Sequence, residues 1–146
     1  MNIITRGQIK SVLPGIDVIA AMEEAFSAYS AGRAVVPPVG ELLLEKGEVH
    51  IKYGYIKNEE FYVIKIASGF YENAELGISS GNGLMLLFKQ ETGELASILL
   101  DEGHLTNVRT AAAGAVAAKY LAPKKVHRIG IVGTGVQARL QLIHLK

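Results

Sequence analysis

The chain has 146 residues, 49% of them apolar and 20% charged, with 15 Lys and Arg against 14 Asp and Glu. This composition is that of an ordinary folded domain; it excludes a disordered chain and a strongly basic nucleic-acid surface, and it favours small neutral ligands or anions held by a few local cations. The lack of cysteine rules out a disulfide scaffold, a thiolate nucleophile and a thiolate metal site. The opening Met1-Asn-Ile-Ile-Thr-Arg-Gly-Gln lacks the apolar core of a signal peptide, and no apolar run reaches the length of a membrane span, so the expectation is a soluble, cytoplasmic protein.

Thr5-Arg-Gly-Gln8 has the spacing of a capping box and predicts a short helix ending near Pro14. A second helix is expected over residues 15–31, with Ile16, Ile19, Ala20 and Phe26 on one face and Gly32 as its stop. Pro37-Pro38 forces an extended passage. Strand-like runs then recur at 41–45, 49–56, 61–68, 84–89 and 95–101, separated by Lys46-Gly47, Lys57-Asn-Glu-Glu60, a Gly/Asn/Ser-rich stretch over 69–83, and Glu91-Thr-Gly93. This hairpin-like spacing predicts an α+β domain: a mainly antiparallel sheet with helices on one face.

From His104 or Thr106 the pattern becomes a long, small-residue helix ending near Pro123, whose alanines and Gly114 suit close helix packing better than a lipid or cofactor groove. Residues 126–132 read as a fully apolar strand of the parallel type. This strand runs into Gly133-Thr134-Gly135-Val136-Gln137-Ala138, with a helix expected to begin near Val136, so that backbone N–H groups close on a pyrophosphate at a positive helix end. Only eight residues follow Ala138, so the ribose-binding acid expected about twenty positions on is not reached. The expected organisation is a domain over 1–123, a boundary at Lys124-Lys125, and the first β-α of a truncated Rossmann domain over 124–146.

Three segments in this order resemble the ornithine cyclodeaminase/mu-crystallin family: Val63-Ile-Lys65-Ile-Ala-Ser-Gly-Phe-Tyr-Glu-Asn73, Leu105-Thr-Asn-Val-Arg109-Thr110-Ala-Ala-Ala, and Gly133-Thr-Gly-Val-Gln-Ala138. The glycine motif alone is weak; its combination with the L-T-x-x-R-T-A-A-A run is specific. Within the family the chain is most similar to the ectoine-utilisation type of cyclodeaminase, through Pro37-Pro38-Val39, His50-Ile-Lys52-Tyr53 and Gly81-Asn-Gly-Leu-Met85. The resemblance implies a homodimer whose N-terminal domain supplies the substrate pocket and subunit interface, and a Rossmann domain holding NAD or NADP. It implies an enzyme working on an amino-acid Cα–N bond or its imine. The reaction is oxidation, ammonia loss with ring closure and hydride return, or alternatively imine reduction or amino-acid dehydrogenation; a non-catalytic dimerisation module is a further alternative. The fragment by itself is expected to be inactive.

The resemblance implies that Arg109 binds the substrate carboxylate near the nicotinamide. From the residues alone, a guanidinium early in an alanine-rich helix is badly placed for the helix dipole and well placed to hold an anion, unless it simply pairs with Asp101 or Glu102. Lys65 shares a strand face with Phe61, Val63 and Ala67, so it needs an anionic partner there, or else snorkels from an edge. Family similarity gives it the substrate carboxylate and a possible part in proton transfer, and Lys52 stands in a similar pattern. Ser80, Thr110 and Gln137 resemble cofactor contacts, joining Arg109 and the Gly133–Val136 turn; Thr110 has the plain alternative of bonding back to its own helix.

His50, His104, His127 and His144 show no metal-ligand spacing and no carboxylate cluster to complete a set, so no metal is expected; His50 alone has a claim to lie near substrate. Gly-x-Ser-x-Gly is absent, which argues against hydrolase chemistry. One departure from the family concerns the arginine that often follows the proline segment and helps clamp the carboxylate. Here Val39-Gly40-Glu41 stand in its place, which puts strict ornithine specificity in doubt. The family's acid/base aspartate belongs beyond Lys146.

Overall fold

The computed structural model describes residues 1–145. It is a mixed α/β structure built on one seven-stranded sheet. The strands are β1 (Asn2–Thr5), β2 (Ala34–Val35), β3 (Gly40–Leu44), β4 (Gly47–Ile56), β5 (Phe61–Gly69), β6 (Gly81–Lys89) and β7 (Leu95–Leu100), and the helices are α1 (Arg6–Val12), α2 (Val18–Ser30), α3 (His104–Leu121) and α4 (Val136–His144). The order is β1-β7-β6-β5-β4-β2, with β3 also paired to β4. All pairings are antiparallel except β1 with β7.

The meander β3 to β7 follows the expected runs to within a few residues. β1 was not expected: four residues before a capping box have no periodicity of their own, and they become a strand by pairing with β7, Ile3 opposite Ile98 and Ile4 opposite Leu99. α1 has the expected capping box, with the Thr5 side chain accepting from the Gln8 N–H. α2 starts later than expected, because a 3-10 turn over Leu13–Gly15 intervenes and the Asp17 carboxylate then accepts the N–H groups of Ile19 and Ala20.

Every buried apolar residue lies in a helix: Ile9, Ala28, Val108, Ala111, Ala112, Ala115 and Val116. The close neighbours of α3 are α2 and α4. The alanines therefore serve close packing, as expected, and at Gly114 a Cβ would collide with the side-chain amide of Gln141 on α4. One expectation is corrected. Phe26 and Ile16 are exposed, because α2 meets the alanine face of α3 through the small Ala28. The apolar side chains of β5, β6 and β7 are mostly half-buried. Ile51, Tyr53 and Tyr55, alternating along β4, stand open to solvent, as do Leu42, Leu43 and Leu44 on β3.

The expected strand over 126–132 is not formed. Residues 125–134 carry no regular structure, and Val126, Ile129, Ile131 and Val132 are exposed. A strand exists only through hydrogen bonds to a neighbour, and among the described residues none lies alongside this segment. The helix that follows does begin at Val136, after Gly133 at φ +100°. No described helix is long and apolar enough to cross a membrane.

Candidate functional site

β4 and β5 place Lys52 and Lys65 directly opposite each other. Residues that pair across two strands project from the same face, so the two amines share it with Val63, Ala67 and, on β6, Met85. Lys52 is exposed and Lys65 is half-buried. Arg109, on the second turn of α3, is exposed, and its charge acts on Lys65. Burial acts first on the Lys65 amine, followed by the positive charges of Arg109 and Lys52; together they push its pKa down from 10.5 to about 8, while Asp101 pulls it the other way. Lys65 thus lies within electrostatic reach of both Lys52 and Arg109.

Among the described residues, neither lysine nor Arg109 has a carboxylate within ion-pair distance. The two acids named above as alternative partners of Arg109 are engaged elsewhere. Glu102 pairs with Arg6 at 2.7 Å, and Asp101 accepts the Leu105 N–H at 2.8 Å. Asp101 is the buried carboxylate of the structure, 1% exposed, and it closes the first turn of α3. Its role was not legible beforehand, since the residue after it, Glu102, looks equivalent in sequence. A carboxylate two or three residues before a helix is the signal that could have identified it.

A cleft of about 410 Å³ runs along the same sheet face toward the Gly69 and Ser80 ends of β5 and β6, with Ser80, Thr106, Asn107 and Gln137 among its walls. It unites Ser80 and Gln137, two of the expected cofactor contacts. Gln137 donates from Nε2 to the carbonyl and side-chain oxygens of Asn107, at 3.3 and 3.0 Å, and its Oε1 is buried without a partner. Thr110 takes its plain alternative: its hydroxyl donates to the Thr106 carbonyl at 2.7 Å. Gly133, Thr134, Gly135 and Val136 are exposed, and no side chain caps the α4 N-terminus that they lead into.

The expectation that no carboxylates gather at a histidine is corrected. Pairing of β3 with β4 sets Glu41 opposite His50, and His50 stands with Nδ1 3.8 Å from Glu41 and Nε2 3.5 Å from Glu48. Ligand atoms of the three lie within 4.8 Å of one another. Spacing along one strand could not show this, because the third group arrives from the neighbouring strand. Tyr71 donates to Glu48 at 3.0 Å, which raises the phenol pKa.

Several known proteins share this sequence and arrangement. An uncharacterised cyclodeaminase of Sinorhizobium fredii is 44% identical over 97% of this chain and 44% of its own length. The structure of Thermococcus litoralis Delta(1)-pyrroline-2-carboxylate reductase in complex with NADH and L-proline superposes with a TM-score of 0.93 at 33% identity, over 99% of this chain and 45% of that one. An archaeal alanine dehydrogenase dimer with bound NAD gives 0.88, also at 33% identity, over 98% and 44%. The chain spans less than half the length of these relatives. The family model for ornithine cyclodeaminase/mu-crystallin matches residues 2–146, and the chain belongs to that family.

Proposed function

We propose that this chain supplies the substrate-holding part of an NAD(P)-dependent enzyme that acts at the Cα–N bond of an amino or imino acid. The observation that carries this reading is the half-buried Lys65 amine, without a carboxylate partner among the described residues and within electrostatic reach of the exposed, equally unpaired Arg109 guanidinium. A carboxylate placed between them would be held by two charge-assisted contacts, which fixes the direction of the Cα–H or C=N bond. Orientation is the protein's main contribution, because the hydride chemistry belongs to the nicotinamide.

The residues present fit such a cofactor. The α4 N-terminus is uncapped, the Gly133 backbone adopts a positive φ, and Ser80 and Gln137 share one cleft wall. Backbone N–H groups at the start of α4 would receive the pyrophosphate, with Thr134 and Gly135 beside it. Residues 124–146 are then the opening of a nucleotide-binding domain, and 1–123 the unit for substrate and subunit contact. The open face of Ile51, Tyr53 and Tyr55 supports a homodimer, in which a second copy covers apolar surface that the helices leave bare.

Cyclodeamination and imine reduction place the same demand on Lys65 and Arg109. The test is an assay of this chain joined to the nucleotide-binding domain that its family carries, with NAD(P)H and cyclic imino acids, alongside ammonia release from diamino acids without net cofactor turnover. Turnover of either kind that is lost in Lys65→Met and Arg109→Ala supports the reading. No turnover, together with carboxylate binding that neither substitution alters, contradicts it.

A further inference from the structure

Like charges set directly opposite each other on neighbouring strands destabilise a sheet, yet Lys52 and Lys65 form such a pair, with Arg109 near enough to act on Lys65. Lys52 and Arg109 both act on Lys65, and among the described residues none of the three has a carboxylate within ion-pair distance. Asp101 is committed to the Leu105 N–H, while Glu41 and Glu48 flank His50. One substrate carboxylate, held by Lys65 and Arg109, would still leave the Lys52 amine facing the site without a counter-charge. A cross-strand pair of side chains starts about 5 Å apart at Cβ, and two flexible lysine stems then reach two separate anionic groups on one small molecule.

We infer that the site takes a dicarboxylate: an α-amino or α-imino acid whose second carboxylate engages Lys52 while Lys65 and Arg109 hold the first. This rests on the carboxylate-holding role proposed above and adds the charge of the substrate to it. Lys52 is exposed, so the second contact is screened by solvent and selects between substrates more than it anchors them.

The experiment is calorimetric titration of the chain with two matched pairs, L-aspartate against L-asparagine and L-glutamate against L-glutamine, repeated for Lys52→Gln and Arg109→Ala. Within each pair the ligands share size and shape and differ by one carboxylate charge. The expected result is a preference of about fivefold for the diacid, the scale of one partly exposed ion pair. Lys52→Gln removes that preference, and Arg109→Ala weakens both members of a pair together. Equal affinity for acid and amide, or a preference that survives in Lys52→Gln, overturns the inference while leaving the carboxylate site standing. Absence of binding by all four ligands overturns the carboxylate site and the inference with it.

Discussion

The Asp101 carboxylate accepts the backbone N–H of Leu105 at 2.8 Å, so a buried acid closes the first turn of the helix that presents Arg109. Removing it in Asp101→Ala strands a helix donor and is expected to cost about 1–3 kcal/mol in chemical denaturation. Asp101→Asn keeps an acceptor and costs less. It also deletes the negative charge that supports the Lys65 cation, so NMR titration of Lys65 in that variant should show its pKa falling further below about 8.

The Lys65 amine is held at about 8 in the folded chain against an ordinary 10.5. Between those values the unfolded chain binds a proton that the folded chain has released, so stability rises with pH across that window. Below about pH 8 both states carry the charge and the folded state bears its full penalty. Lys65→Met should therefore be more stable than wild type at pH 7 and should lose the alkaline gain in stability, as followed by melting curves from pH 7 to 10.5. A melting temperature at pH 7 lower than that of wild type would show the amine to be satisfied in the free protein.

Two glycines make a contrast in packing. A Cβ at Gly83 on β6 would lie 2.6 Å from the backbone carbonyl oxygen of Ile66, which the sheet holds in place. At Gly114 the obstacle is the Gln141 side chain, which can swing aside at the loss of its 3.3 Å contact to the Thr110 carbonyl. Gly83→Ala is expected to destabilise by about 2 kcal/mol or more, as other overpacking substitutions do. Gly114→Ala should cost less, since the helix propensity of alanine offsets part of the disturbance. Equilibrium denaturation of both variants checks the order.

Much of this arrangement was legible in the residues because it is local. The capping box of α1, the alternating strands of the meander, the alanine face of α3 and the α4 start at Val136 all declare themselves within a few positions. Features supplied by a neighbour were not legible. β1 exists only against β7, residues 126–132 stay irregular for want of an adjacent strand, and Glu41 reaches His50 only through the β3–β4 register. The site divides in the same way. Lys65 was marked by an apolar strand face and Arg109 by its helix position, whereas the direct opposition of Lys52 to Lys65 and the burial of Asp101 depend on how the elements meet.

Binding of a carboxylate between Lys65 and Arg109 also has a proton signature. An anion favours the charged amine, so ligation near pH 8 must take up a proton, and affinity must fall as pH rises through the Lys65 pKa. Calorimetry in buffers of different ionisation enthalpy measures that uptake, and it should vanish in Lys65→Met.

The most direct measurement is NMR titration of the Lys65 amine with and without saturating acetate, in wild type and in Arg109→Ala. If the two cations share one carboxylate, acetate raises the Lys65 pKa from about 8 toward its ordinary value, and the rise is smaller in the variant. An unchanged Lys65 pKa at saturating acetate would contradict the account.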